Sequence, residues 1–159
     1  MLHLHNMNGV NDIKSAKQTL QDYTPDSFLK RVREEGFVID AERKTGVIIP
    51  NSTQVPNEII DKYLKDLTGA ELKVLLYLIR KTFGYNKKDG DRISLSQISN
   101  GVKSKSGKII DRGTGLSTRT AIRAIKFLEK AGLIEVFRTK NKESNNEINF
   151  YRLVTRIDY

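Results

Sequence analysis

The chain has 159 residues, of which 38% are hydrophobic and 30% are charged, and its formal net charge is +9. This length fits one domain with a substantial extension, and the basic excess favours a polyanionic partner, either nucleic acid or an anionic membrane surface. The absence of cysteine excludes disulfides and thiol chemistry, and we expect a cytoplasmic location. The first residues do not resemble a secretory signal, and the longest apolar stretch, residues 72–79, is too short to span a bilayer.

Residues 1–50 are predicted to form an N-terminal extension with few regular elements. The first dozen residues are polar and lack periodicity, and residues 13–22 are compatible with a short helix. A better helix is predicted from Thr24, because a capping threonine, a first-turn proline and an acid follow one another, and it should end at Gly36. Short strands are predicted at residues 37–39 and 47–49.

Residues 51–159 are predicted to form the main domain. Asn57 caps a helix over residues 58–65, and Thr68 with Glu71 forms a capping box for a core helix that ends at Gly84. The next segments are predicted as a short strand at 93–95, a small helix at 96–99, a loop at 103–114, a helix at 117–131, and two strands at 133–138 and 147–154. This order predicts a mainly α fold with a small β-hairpin wing (α+β), a winged helix-turn-helix with an N-terminal extension.

The positive charge is concentrated in the main domain. Residues 1–50 carry seven basic and seven acidic side chains, whereas residues 101–130 carry eight basic ones against Asp111 and Glu129. The eight are Lys103, Lys105, Lys108, Arg112, Arg119, Arg123, Lys126 and Lys130. We therefore expect a polyanion to contact the second half of the chain. An excess of lysine on an ordinary soluble protein is the alternative that composition leaves open.

The helix predicted over residues 117–131 separates its cations from its aliphatic residues. At 100° per residue, its four cations fall within an arc of about 60°, and three alanines, an isoleucine and a leucine lie opposite. The cations are Arg119, Arg123, Lys126 and Lys130. A solvated basic face on an ordinary amphipathic helix is the alternative interpretation. A helix that inserts into lipid is disfavoured, because the opposite face lacks large exposed apolar side chains.

These residue types predict the role of each candidate in binding double-stranded DNA. Arg119 and Arg123 are expected to read guanine through paired hydrogen bonds, and Lys126 and Lys130 to contact phosphates. Phosphate contacts are also expected at the helix start, in the basic loop and at the wing tip. Those residues are Ser117, Thr118 and Thr120, then Lys103, Lys105, Lys108 and Arg112, then Lys140 and Lys142.

No enzyme, cofactor or metal site is predicted. Residues 101–109 superficially resemble a phosphate-binding P-loop, but five residues separate the glycines and Ile109 stands where the motif needs serine or threonine. His3 and His5 are the only histidines, and two imidazoles without further ligands seldom hold a metal.

Several blocks in order resemble the N-terminal domain of phage replication proteins of the lambda O type. They include residues 55–60, 67–75, 79–88, 91–98, 113–120 and 124–134. The resemblance implies a replication initiator that binds repeated sites at an origin and recruits helicase-loading proteins, with Ser117, Thr118, Arg119, Thr120 and Arg123 at the DNA surface. The alternatives are a winged-helix transcriptional regulator and a protein-interaction module. Residues 1–50 lie outside the resemblance and are candidates for homodimerisation or partner binding.

Overall fold

The computed structural model describes residues 24–36, 51–139 and 148–156. The chain divides into two compact units, Met1–Val47 and Ile48–Tyr159. Helix α1, Pro25–Glu34, belongs to the first unit. Its start is fixed by a capping box. The hydroxyl of Thr24 accepts from the backbone N–H of Ser27, and the hydroxyl of Ser27 accepts from the backbone N–H of Thr24. The predicted helix from Thr24 is confirmed, and Gly36 beyond its end has φ +81°.

Several predicted features lie outside the described residues. They are the helix over 13–22, the strands at 37–39 and 47–49, and the wing tip that carries Lys140 and Lys142. Among the helices that are described, none is long and apolar enough to cross a membrane. The three described ranges also contain no group of three or more histidine, aspartate and glutamate residues placed to hold a metal ion.

The second unit combines helices with two small antiparallel sheets. Its elements are α2 Gly69–Thr82, β1 Asp91–Ser94, α3 Leu95–Asn100, β2 Val102–Lys103, β3 Ile109–Asp111, α4 Thr118–Lys130, β4 Ile134–Arg138 and β5 Ile148–Leu153. Before α2, the helix that begins at Asn57 continues as a π-helix, Ile59–Tyr63, where an ordinary helix to residue 65 was predicted. The architecture is α+β and compatible with a winged helix.

Side-chain caps start α2 and α3, whereas Asn57, predicted as a cap, lies within its helix, and no side chain caps the π-helix that follows. Glu71 Oε2 accepts from the backbone N–H of Thr68 at 2.8 Å, and Thr68 Oγ1 accepts from that of Glu71 at 3.3 Å, which completes the predicted capping box of α2. Ser94 and Gln97 form a second capping box at α3. Helix α2 ends at Thr82, earlier than predicted, because the chain tightens into a 3₁₀ turn, Phe83–Tyr85, before Asn86 adopts φ +59°.

The larger sheet has β5 between β1 and β4, and every pair is antiparallel. Ile134 pairs with Leu153 and Arg138 with Asn149, while Asp91 pairs with Tyr151 on the other side. This confirms the two strands predicted at residues 133–138 and 147–154. The sheet buries the side chains of Ile93, Ile134, Tyr151 and Leu153.

A second sheet, β2–β3, forms where an irregular loop over residues 103–114 was predicted, so that prediction was wrong. The turn closes because the backbone N–H of Ser104 donates to the carbonyl of Lys108 at 2.8 Å, and Ser104 Oγ accepts from the N–H of Lys108 at 3.1 Å. Gly107 supplies the φ of +85° that the turn requires. The segment is therefore a hairpin inserted between α3 and α4.

Helix α2 forms the centre of the core. Val74, Leu75, Leu78 and Ile79 are almost completely buried, and the helix packs against α4 and β5. Burying each such side chain stabilises the fold by about 1.5–3 kcal/mol. The buried face of α4 lies against this core, which leaves its other face to solvent.

Candidate nucleic-acid interface

The start of α4 is capped by Ser117, as the sequence predicts. Ser117 Oγ accepts from the backbone N–H of Thr120 at 3.2 Å and donates to the hydroxyl of Thr120 at 2.9 Å. Thr118 and Arg119 are exposed in the first turn. Because the Ser117 and Thr120 hydroxyls bond each other, the exposed Thr118 hydroxyl and the first backbone N–H groups are the polar groups most available to an anion.

The two faces of α4 differ as its periodicity predicts. The side chains of Ala121, Ala124, Ile125 and Leu128 are buried. The four cations on the other face are all exposed, and none forms an ion pair within the described part of the chain. We call Arg119, Arg123, Lys126 and Lys130 the basic stripe.

Both acids within residues 101–130 are bound by cations from outside that stretch. Glu129 accepts from both terminal nitrogens of Arg138 at 2.9 and 2.7 Å, which holds the pKa of the Glu129 carboxyl below its usual value. Asp111 lies 2.5 Å from the ammonium of Lys81. The eight cations of the stretch are all exposed. The two acids therefore offset less of the positive charge of this stretch than the sequence count suggests.

The hairpin β2–β3 is tied to α2 through Asp111. Besides Lys81, the Asp111 carboxylate accepts from the Tyr77 hydroxyl at 3.2 Å and from the backbone N–H of Gly113 at 2.9 Å. Burial and the adjacent Asp111 charge raise the pKa of the Tyr77 phenol far above its usual value. Tyr77 is thus held neutral and able to donate this hydrogen bond.

The base of the hairpin is a close crossing of two glycines. A Cβ on Gly101 would lie 2.1 Å from the carbonyl oxygen of Asp111, and one on Gly113 would lie 2.4 Å from the nitrogen of Gly101. Thr114 then donates from both its N–H and its hydroxyl to the carbonyl of Ile98, each at 2.7 Å. The crossing brings the start of α4 back to the end of α3, although the insertion between them is long.

The predicted DNA-binding residues fall on two described elements. The hairpin and its flanking segment carry Lys103, Lys105, Lys108 and Arg112, and α4 with its N-cap Ser117 carries the rest, while Lys140 and Lys142 lie outside the described residues. Sequence reasoning missed Arg138, which joins β4 to α4, and the group of Tyr77, Lys81 and Asp111, which anchors the hairpin β2–β3. These partners are distant in sequence, so no local pattern signals them.

The comparisons with known proteins bear on most of the second unit. Residues 51–151 match a family model described as bacteriophage replication protein O. The matched range includes the hairpin β2–β3 and all of α4. No curated protein and no solved structure matches the chain significantly. The match confirms the resemblance that the sequence blocks suggest.

Proposed function

The chain belongs to the bacteriophage replication protein O family, and from this premise we propose that it binds specific double-stranded DNA sites at a replication origin. The family indicates a role in the initiation of phage DNA replication. The basic stripe on α4 is the observation that carries the DNA-binding part of the proposal. Helicase-loading proteins are proposed as later partners in the same process, and a homodimer as the binding species. We assign the chain a binding role and no catalytic one.

The arrangement of elements supports a winged helix-turn-helix as the binding module. Helices α3 and α4 follow one another, and the β4–β5 hairpin comes directly after α4 and pairs with β1. In that fold the second helix of the pair enters the major groove and the wing lies beside it. Helix α4 occupies the position of the reading helix, and the Arg138–Glu129 pair fixes the base of the wing against it.

The roles proposed for individual residues follow from position along α4. Arg119 and Arg123 lie in the first half of the helix, where guanidinium groups can each make two hydrogen bonds to guanine. Lys126 and Lys130 lie farther along, where they are better placed for phosphates. The exposed Thr118 hydroxyl is proposed to bind phosphate together with the N-terminal backbone amides.

The basic stripe favours DNA as the partner over an anionic membrane surface and over a protein. A helix that binds a membrane surface needs a broad exposed apolar face, whereas the apolar face of α4 is buried in the core. A protein-binding surface does not need four unpaired cations within one narrow arc. A transcriptional regulator uses the same module, and it is the second candidate function.

The salt dependence of binding is expected to report the phosphate contacts. If about five phosphates are neutralised, the logarithm of the affinity should fall against the logarithm of salt with a slope of roughly −4 to −5. Fluorescence anisotropy of a labelled duplex over several salt concentrations measures this slope. Changing Lys126 and Lys130 to alanine should make it shallower by about two, whereas changing both to arginine keeps the two charges and should leave the slope unchanged. A flat response in the wild-type protein would exclude DNA as the partner.

Selection from a pool of random duplexes tests the origin assignment. We expect enrichment of a short site, because Arg119 and Arg123 discriminate guanine from other bases. Enriched sites are then tested as single copies and as direct repeats in binding assays. Cooperative binding to several direct copies of the site supports an origin, whereas a single palindromic site without cooperativity between copies supports the transcriptional regulator. A pool without enrichment contradicts sequence-specific binding and favours a protein-interaction module.

A further inference from the structure

Ile110 is an extra residue in the hairpin β2–β3. Val102 pairs with Asp111 and Lys103 with Ile109, so one residue of β3 has no partner across the hairpin. Such a bulge bends the strand and redirects the side chain. The side chain of Ile110 is 51% exposed, whereas Ile109 and Asp111 are partly buried. The bulge therefore presents an aliphatic side chain to solvent.

The surroundings of Ile110 are strongly basic. The exposed cations of the hairpin and its flanking segment are Lys103, Lys105, Lys108 and Arg112. The acid of β3, Asp111, is bound to Lys81 and Tyr77 of α2. A narrow two-stranded ribbon with cations around one aliphatic side chain suits a nucleic acid, because the cations meet phosphates while the aliphatic group contacts base surfaces.

We propose that this hairpin enters a minor groove beside the bases read by α4, and that Ile110 wedges between two base pairs and kinks the duplex. Isoleucine is among the residues that proteins insert in this way, and two-stranded ribbons are among the elements that enter the minor groove. The proposal rests on the proposed double-stranded DNA binding. It adds a second contact element and a deformation of the site.

The hairpin is held firmly enough to act as a wedge. Its turn is closed by Ser104 and Lys108, and its base by the crossing of Gly101 and Gly113. Asp111, immediately after Ile110, is bound to α2. Separating stacked bases costs energy, and a pre-formed wedge loses little conformational freedom in doing so. β3 ends at Asp111 and α4 starts at Thr118, so the hairpin lies close in sequence to the end of α4 that is proposed to contact bases.

The test measures bending and unstacking on an enriched duplex about 30 base pairs long. Energy transfer between dyes at the two ends reports the bend, and 2-aminopurine placed at successive flanking positions reports unstacking. The wild-type protein should bend the duplex by about 20–90° and raise the fluorescence at one flanking step. Ile110→Ala should lose most of both signals. Ile60→Ala is the matched control, because Ile60 is also 51% exposed but lies on the π-helix.

A second variant distinguishes the effect of the aliphatic side chain on bending from the effect of charge on binding. Ile110→Lys adds a cation, so binding should persist while the kink and the 2-aminopurine signal are lost. Normal bending by either Ile110 variant would overturn the proposal. Wild-type binding without bending would overturn it too, and leave the proposed function standing. Failure of the wild-type protein to bind any duplex would overturn both.

Discussion

Arg119→Ala should weaken binding to the enriched site by about 1–3 kcal/mol, which is roughly a 5- to 160-fold loss of affinity. The side chain is exposed near the start of α4 and forms no ion pair within the described residues, so its guanidinium is available to O6 and N7 of a guanine. Removing it leaves two acceptors of that base unsatisfied in a surface that binding has dehydrated. Binding to unrelated duplex should change little, because the phosphate contacts remain.

Lys130→Ala is the matched control for Arg119. Both residues are exposed cations on the basic stripe, but Lys130 lies at the other end of α4. It should lower affinity about equally on the enriched site, on a site with the guanine replaced, and on an unrelated duplex. Anisotropy titrations at one fixed salt concentration give all three affinities. An equal loss on all three duplexes for Arg119→Ala would reassign Arg119 to the phosphate backbone.

Local sequence rules predict most helix boundaries of the described chain. The capping boxes of α1 and α2 and the cap of α4 depend on residues within three positions of each other. The end of α4 is also local: the N–H of Gly132 donates to the carbonyl of Glu129 and that of Leu133 to Leu128, while Gly132 adopts φ +75°. The basic stripe follows from helical periodicity alone, and the burial of Ala121, Ala124, Ile125 and Leu128 confirms the orientation of the helix.

The hairpin β2–β3 was missed because its strands are too short to carry a pattern. They have two and three residues, and alternation between the faces of a sheet needs a longer run to be recognised. Its lysine, serine and glycine composition is typical of a loop. What stabilises it is distant: Asp111 binds Tyr77 and Lys81, which are 34 and 30 residues earlier. Such contacts exist only after the core has formed.

In the candidate site too, some features follow from local sequence and others depend on the tertiary fold. The position of its cations follows from composition and periodicity, but their electrostatic environment does not. Asp111 and Glu129 count as opposing charges in the sequence, yet each is bound by a cation from outside the basic stretch. Arg138 reaches Glu129 because β4 turns back alongside α4, which is a property of the tertiary fold.

Gly101→Ala should destabilise the fold by about 2–5 kcal/mol, because strain at a positive φ adds to overpacking against backbone. Gly101 has φ +82°, and the new Cβ would lie 2.1 Å from the carbonyl oxygen of Asp111, where ordinary contacts begin at 3.4 Å. The obstacle is backbone and cannot rotate away. Moving it would also displace the Asp111 carboxylate from Lys81 and Tyr77. The free energy of unfolding is measured by urea denaturation monitored by circular dichroism.

Gly107→Ala is the control for a glycine substitution in the same hairpin away from the crossing. Gly107 belongs to the same hairpin and has a similar φ of +85°, but nothing lies within 4 Å of the position its Cβ would occupy. Its substitution should cost only the conformational strain, about 1–2 kcal/mol. The reduced freedom of the unfolded chain affects both variants alike and cancels in the comparison. The difference between the two therefore reports the close packing of the hairpin base together with the backbone strain at Gly101, whose ψ of −161° lies in a region that essentially only glycine adopts.

The same pair of variants connects the crossing to DNA binding. The crossing holds the base of the hairpin. It also positions the segment just before α4, in which Thr114 donates a hydrogen bond to the carbonyl of Ile98. Gly101→Ala should therefore lower affinity for the enriched site even at temperatures where the protein remains folded, whereas Gly107→Ala should bind nearly as the wild type does. If Gly101→Ala is no less stable than Gly107→Ala and binds equally well, the base of the hairpin can rearrange freely. The hairpin would then not be a fixed element between α3 and α4.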